Sequence, residues 1–369
     1  MKGTVRKDGS TWCYLVCIGK DPITCKYKYK RKRGFRTKKE CEIALAQLIT
    51  ELDKGTAISN EKITVSEYLD YWMKTYVESN CSPNTIKRYS FSIKDIKNYL
   101  GTIKLCKLNP LIIEKFYKDI LDEKEISTNT LLKTHRTFHL ALKHAQQWQL
   151  IHTNFCDLVN KPKEIKKEIE FWDANKVKAN LEKLKGHKFY DITYLACHTG
   201  MRVGELCGLR WKNVDLKKGV INVVEQLQRI DGKLKLSSLK TTNSKRIVSL
   251  YPSTIEHLKK IKNTTKIISL NNYKNDNDFV FSWEDGRPMD PHYISQNFKE
   301  VLSYCGIEDI ISFHGTRHTH ATMLLKAGTN IKVISKRLGH SNVAFTMDTY
   351  VHVNTDMQKD EILKASKFL

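Results

Sequence analysis

The chain has 369 residues, with 63 Lys and Arg against 40 Asp and Glu, a formal charge of +23. That length accommodates two or three domains with buried cores, and so large an excess of one sign points to a polyanionic partner, nucleic acid or an anionic membrane. No run of 18 apolar residues occurs and MKGTVRKDGSTW lacks an apolar signal core, which excludes a membrane-spanning helix and fits a cytoplasmic location with no membrane partner; the ten cysteines form no CxxC pair and are expected as free thiols rather than disulfides or a zinc site.

The predicted elements begin with strands and one helix in residues 1–58. TWCYLVCI (11–18) reads as a strand. CKYKYKRK (25–32) alternates with period two, so Tyr27 and Tyr29 share one face and Lys26, Lys28 and Lys30 the other. Thr37 and Glu40 form a capping box that opens a helix with Ile43, Leu45, Leu48, Ile49 and Leu52 as its apolar positions and Gly55 as its stop. Nine of the fourteen residues from Lys26 to Lys39 are basic and none is acidic. This surface, including Arg31, Lys32 and Arg33, is expected to dock on DNA.

Residues 62–163 read as all helix. Thr64 and Glu67 make a second capping box ahead of Tyr68, Leu69, Tyr71 and Trp72; Ser82-Pro83 starts a helix that stops at Gly101; Asn109-Pro110 starts a third; Ser127 caps a fourth. Lys87, Arg88, Lys94, Lys133, Arg136 and Lys143 are expected to be exposed and to meet DNA phosphates. NKPKEIKKEIE (160–170) reads as a linker.

From residue 171 to 369 the pattern is again mostly helical. The exception is 218–250, where VINVVEQLQR, Asp231-Gly232, KLKLS and RIVSL predict one small antiparallel sheet. Asp290-Pro291, Asn330 and Ser341 start helices; Gly306, Gly328 and Gly339 stop them. Taken together the fold class is mainly α with small β elements. The tail, residues 357–369, is amphipathic if helical.

The densest chemistry lies in FHGTRHTHA (313–321). His314 and His318 stand at i and i+4, a spacing used in zinc sites. Arg317 beside them makes a dication costly, and residues 310–347 contain no acidic ligand; no metal and no other cofactor is expected. His314 and Arg317, one turn apart at a helix start with its free amide groups, instead suit an anion such as a phosphate. Other candidates are Arg202 with Glu205 in HTGMRVGELCGLRW, Lys240 in LSSLKTTNSKRIVSL, with Lys245 as the alternative, and His340 and Tyr350 in LGHSNVAFTMDTYVH.

In this order, Arg202, Lys240, His314-x-x-Arg317, His340 and Tyr350 resemble the tyrosine recombinase family, specifically phage and conjugative-transposon integrases. The resemblance implies an arm-type DNA-binding domain at 1–58 (a three-stranded sheet plus helix), a helical core-site-binding domain at 62–163, and a mixed, mostly α catalytic domain at 171–369. It implies a site-specific recombinase that integrates and excises a mobile element through a 3′-phosphotyrosyl intermediate on Tyr350, needing neither metal nor ATP. His314 would serve as general base, Arg202 and Arg317 as phosphate clamps, Lys240 as the acid, and His340 as a donor to the phosphate. Glu205 would orient Arg202 or a neighbouring basic residue; His318 would support the site and His320 the fold. Implied partners are double-stranded DNA at core and arm sites, a homotetramer on DNA, with the tail docking on a neighbouring subunit, and an excisionase or host DNA-bending protein. The alternatives are a type IB topoisomerase-like relaxing enzyme and a non-catalytic DNA-binding regulator on the same fold.

Overall fold

The computed structural model describes residues 3–20, 27–53, 63–165, 170–230, 232–239, 245–271 and 279–339. Residues divide into two compact units, Met1–Lys166 and Lys167–Leu369. The division falls inside the Pro-containing, highly charged stretch 160–170. Asn129 exchanges hydrogen bonds with the Ile165 backbone at 2.7 and 2.9 Å, which ties the first part of that stretch to the first unit. Among the described residues no helix is long and apolar enough to cross a membrane.

The first unit opens with β1 (Gly3–Asp8), β2 (Thr11–Lys20) and β3 (Tyr27–Phe35), an antiparallel sheet in the order β1-β2-β3. Helix α1 (Lys38–Asp53) covers one face. Its N-terminus is held by Thr37 Oγ1, which accepts from the Glu40 amide at 3.2 Å, while the Glu40 carboxylate reaches one residue further back, to the Arg36 amide. Cys41, Leu45 and Leu48 form the buried stripe against Tyr14, Val16 and Phe35. Ile43, expected in that stripe, is 53% exposed. It stands about 200° around the helix from Cys41, at about 100° per residue, and so faces away. Gly55 lies outside the described residues.

The alternation expected of β3 is seen at Tyr29 and Lys30, and the register shows which face α1 covers. Residues directly opposite in an antiparallel pair share a face. Lys30 and Lys32 pair with Val16 and Tyr14, so they extend the face that α1 covers, whereas Tyr29 and Arg31 pair with Cys17 and Leu15 on the other. Tyr27 and Tyr29 are both well exposed. The open face combines Tyr29 with Arg31. Lys26 and the Lys28 side chain lie outside the described residues.

The remainder of the first unit is helical: α2 (Val65–Trp72), a π-helical turn at Met73–Val77, the short α3 (Glu78–Asn80), α4 (Pro83–Leu100), α5 (Pro110–Lys124) and α6 (Thr128–Gln147). The expected starts hold. Thr64 and Glu67 form a full capping box, and the Asn109 and Ser127 side chains accept from amides of the first turn. Tyr68, Leu69 and Trp72 are fully buried in one core with Ile96, Ile113, Phe116 and Phe138, while Tyr71 is exposed. Burying the polar ends of Tyr68 and Trp72 requires partners. The Tyr68 hydroxyl donates to the Ala141 carbonyl, and Trp72 Nε1–H donates to His144 Nδ1 at 2.7 Å.

The second unit contains α7 (Ala174–Leu184), α8 (Tyr190–Thr199), α9 (Val203–Cys207), β4 (Val214–Asp215), β5 (Val220–Val223), β6 (Glu225–Ile230), β7 (Lys233–Ser238), β8 (Arg246–Ser249), α10 (Pro252–Asn271), α11 (Pro291–Tyr304), α12 (Gly315–Lys326) and α13 (Ile331–Leu338). Trp172, Phe189, Trp211, Phe298 and Phe313 anchor its core. The expected single sheet is two. RIVS pairs with VINV in β4-β5-β8, and EQLQRI pairs with KLKLSS in a separate hairpin. VINVVEQLQR is therefore two strands interrupted at Val224, which is exposed and outside both ladders. Apolar composition did not signal the break because all three valines there suit a strand equally.

Two glycines let α9 lie directly on the β6 backbone. A Cβ at Gly208 would stand 2.6 Å from the Leu227 nitrogen, and one at Gly204 would stand 2.9 Å from the Leu227 oxygen. This close approach fixes the start of α9, and with it Arg202.

Candidate active site

Helix α8 ends at Gly200, whose φ of 65° is the left-handed conformation that favours glycine. The chain turns through buried Met201, and Arg202 becomes the N-cap of α9. Glu205 reaches back from the first turn. Its Oε2 accepts from the Arg202 amide at 2.9 Å and its Oε1 from Arg202 Nη1 at 2.8 Å. The Glu205 side chain is completely buried, which is tolerable for a carboxylate only with compensating cations. The second cation is Arg246 at the start of β8, whose Nη1 and Nη2 grip Oε1 and Oε2 at 3.0 and 2.8 Å. Burial is the largest influence on the Glu205 carboxyl and raises its pKa. The hydrogen bonds and charges of Arg246 and Arg202 together outweigh it and hold the pKa below the ordinary carboxylate value.

The C-terminus of α13 is where the basic side chains converge. Helix C-termini leave carbonyls without intrahelical partners and carry the negative end of the dipole. Three successive carbonyls here accept from three arginines: Arg337 O from Arg246 Nε at 2.6 Å, Leu338 O from Arg317 Nη2 at 2.7 Å, and Gly339 O from Arg202 Nη2 at 3.0 Å. Arg317 also donates from Nη1 to Gly200 O at 2.7 Å, so it joins the ends of α8 and α13. It is only 2% exposed, whereas the Arg202 side chain is 35% exposed.

His314 is the N-cap of α12 and surface-exposed as a residue. Partial loss of solvent around its ring, followed by the nearby positive charges of Arg317 and Arg202, lowers its pKa. A pKa lowered in this direction favours the neutral imidazole at pH 7. The His318 ring meets the His314 ring edge-on with centroids 4.9 Å apart, and burial together with His314 and Arg317 pushes its pKa down to about 4.

His320 is structural. Its Nδ1–H donates to the Cys197 carbonyl at 2.9 Å and its Nε2 accepts from Arg337 Nε at 2.9 Å. Both nitrogens are engaged, and burial, with Arg337 next, pushes its pKa down to about 3. Arg337 continues to the Ser249 and His198 carbonyls, tying α13 to β8 and α8.

The structure thus brings Arg202, Glu205, His314 and Arg317 together, from segments more than a hundred residues apart. Lys240, His340, Tyr350, the Ser341 helix start and the tail helix lie outside the described residues; Lys245, the alternative lysine, is exposed just before β8. Sequence reasoning missed Arg246 and Arg337. A signal for Arg246 was present: in RIVS it occupies the inward parity with Val248, while Ile247 between them is 66% exposed. An arginine at an inward strand position demands a buried partner.

Among the basic candidates of the first unit, Lys87, Arg88, Lys94, Lys133, Arg136 and Lys143 are all exposed. Arg136 pairs with Glu164 at 3.2 Å. In the sheet, Arg31 and Arg33 share Asp8 at 3.1 and 3.2 Å, so part of that charge is internally balanced.

An imidazole held neutral beside two guanidiniums can accept a proton while the cations stabilise an oxyanion. Comparison with known proteins places the chain in a family. Residues 165–357, over half of the chain, match the phage integrase family; residues 4–52 match an arm DNA-binding domain and residues 64–121 the N-terminal SAM-like domain of phage integrases. A XerC-like tyrosine recombinase of Caldanaerobacter subterraneus subsp. tengcongensis is 29% identical over 361 residues, covering 92% of this chain and 91% of that protein. The ICEBs1 integrase of Bacillus subtilis is 25% identical over 364 residues, covering 96% of each. In structure the chain is similar to the Tn1549 transposon integrase solved with transposon right end DNA, with a TM-score of 0.69 at 22% identity, covering 82% of this chain and 100% of that one. It is also similar to lambda integrase solved as a tetramer on a Holliday junction, with a TM-score of 0.61 at 19% identity, covering 92% of this chain and 95% of that one. With the fold and the family match in agreement, the chain belongs to the phage integrase family of tyrosine recombinases, enzymes that cleave and rejoin DNA.

Proposed function

We propose that this recombinase integrates and excises a mobile element, with Tyr350 as its nucleophile and Arg202, Lys240, His314, Arg317 and His340 as the other catalytic residues. The observation that carries the reading is the convergence of Arg202 and Arg317 on the C-terminal carbonyls of α13, with His314 at the start of the helix that bears Arg317. A tyrosine hydroxyl with an ordinary pKa of about 10 is a poor nucleophile at neutral pH. His314 accepts its proton as the phenolic oxygen bonds to the scissile phosphorus. The bond from phosphorus to the 5′-oxygen breaks, and Lys240 protonates that oxygen. The product is a 3′-phosphotyrosyl link and a free 5′-hydroxyl, so the phosphodiester energy is kept and no ATP is required. Attack by a different 5′-hydroxyl reverses the step and completes strand exchange.

Arg202 and Arg317 stabilise the negative charge that grows on the non-bridging oxygens. The carbonyls they also bind hold both guanidiniums in place before substrate arrives. His340 donates to the same phosphate, and Glu205 orients Arg202. Burial first, and then the positive charges of Arg317 and Arg202, hold the His314 pKa below its usual value, which leaves the imidazole ready to accept a proton.

The three modules are residues 1–58 for arm sites, 62–163 for core sites and 171–369 for catalysis. Lys26, Lys28, Lys30, Arg31, Lys32 and Arg33 serve the first, and Lys87, Arg88, Lys133 and Arg136 the second. The working form on DNA is a homotetramer, as lambda integrase forms on a Holliday junction. An excisionase or a host DNA-bending protein sets direction, and the enzyme works in the cytoplasm.

A nicked suicide substrate tests the reading. Wild type is expected to form an SDS-stable protein–DNA adduct, with full yield in EDTA, and Tyr350→Phe none. Adduct formation by Tyr350→Phe would refute the nucleophile. With two cognate sites, strand exchange is expected; relaxation alone would favour the topoisomerase alternative.

A further inference from the structure

We infer that Arg246 is a positioning residue for the strand-transfer step: it neutralises Glu205 so that the positive charge of Arg202 remains available to the reacting phosphate. The inference rests on the phosphate-clamp reading of Arg202 above.

The arrangement is an ion triad with unequal environments. Glu205 has no exposed side-chain surface, Arg246 has 3% and Arg202 has 35%. The carboxylate carries one negative charge, and two guanidiniums share it. Arg246 takes both oxygens in a fork, at 3.0 and 2.8 Å. Arg202 takes one oxygen through a single side-chain nitrogen at 2.8 Å. Bidentate pairing is the stronger geometry, so the anion is committed mainly to the buried arginine. One net positive charge is left, and it resides on the partner that reaches the surface.

Removing Arg246 reverses this balance. Glu205 would then have Arg202 as its remaining cation within the triad, and the pair would be neutral. The clamp would lose charge without losing any atom that touches the phosphate. Geometry adds to the effect. Arg246 Nε donates to Arg337 O, one residue from the carbonyl bound by Arg317 and two from the one bound by Arg202. The same side chain therefore sets the charge of Arg202 and the end of the helix on which Arg202 leans. Gly339 leaves it space, since a Cβ there would stand 3.1 Å from Arg246 Nη1.

The test is single-turnover cleavage of the suicide substrate by full-length enzyme at saturating concentration, well below each variant's melting transition. Arg246→Met is expected to bind the DNA as wild type does and to cleave on the order of 100-fold more slowly, comparable to loss of one oxyanion donor. Adding Glu205→Gln to Arg246→Met removes the carboxylate charge that would otherwise neutralise Arg202 and is expected to recover the rate by about tenfold or more. A residue that only supported the fold would give no such rescue in rate per folded molecule. The inference is overturned if folded Arg246→Met cleaves within about threefold of wild type, or if the double variant is no faster than Arg246→Met. Should Arg246→Met fail to fold, Arg246→Lys carries the test. It keeps the charge and loses the fork, so it must cleave within about tenfold of wild type, and a hundredfold loss overturns the inference. Arg202→Ala run in parallel separates the two readings: if it cleaves normally, the phosphate clamp itself is wrong; if it is inactive while Arg246→Met is intact, only the present inference fails.

Discussion

Arg317→Ala should unfold the catalytic unit more readily, as well as stopping cleavage. The side chain is 2% exposed and donates to the Gly200 and Leu338 carbonyls, both at 2.7 Å. Hydrogen bonds from charged groups contribute about 1.5–3 kcal/mol each, so two of them amount to roughly 3–6 kcal/mol. In a unit of this size each kcal/mol lowers the melting temperature by about 2–4 °C. Thermal unfolding followed by circular dichroism should therefore show a fall of roughly 6–24 °C. Arg202→Ala is the control. Its side chain is one-third exposed, and Glu205 keeps its bidentate partner Arg246, so its melting temperature should stay much nearer that of wild type while cleavage falls by several hundredfold or more. A melting temperature for Arg317→Ala within about 2 °C of wild type would refute the claim that Arg317 joins the ends of α8 and α13.

The His314 imidazole should titrate below 6.5 in an NMR pH series, because burial and two positive charges oppose its protonation; Arg202→Met should move the midpoint upward, and an unchanged midpoint would separate His314 from Arg202. The Glu205 carboxyl is held lower in the folded chain than in the unfolded one. Its contribution to stability is present above the unfolded carboxylate pKa and is lost as pH falls through the folded value. Melting temperature measured from neutral pH downward should drop in that acidic window, and the drop should be smaller in Glu205→Gln. Gly208→Ala would place a Cβ 2.6 Å from the Leu227 nitrogen, a backbone atom that yields little. A cost of about 1–3 kcal/mol is expected, seen as a lower melting temperature with reduced cleavage; full stability would show that α9 does not lie as tightly on β6 as described.

The sequence by itself determined most of the local structure. Helix starts at Thr64, Asn109, Ser127, Asp290 and Asn330 were legible because a cap is a contact between a side chain and an amide two or three residues away. Arg317 beside His314 and His318, with no acidic residue in 310–347, was the sequence's argument for an anion at that helix start. What lay beyond the sequence depended on distance through space. VINVVEQLQR reads as one strand, and only pairing with β8 on one side of Val224 and β7 on the other divides it. Ile43 and Cys41 are both apolar, and only the position of the sheet decided that Cys41 is buried. At the site, Glu205 was foreseen as an orienting group, but its main partner Arg246 lies 41 residues away, and Arg317 meets carbonyls 117 and 21 residues distant. Those bonds follow from the burial of charge. A carboxylate or guanidinium deprived of water takes whichever partner the packed helices and strands bring within reach, and that partner is a property of the tertiary fold.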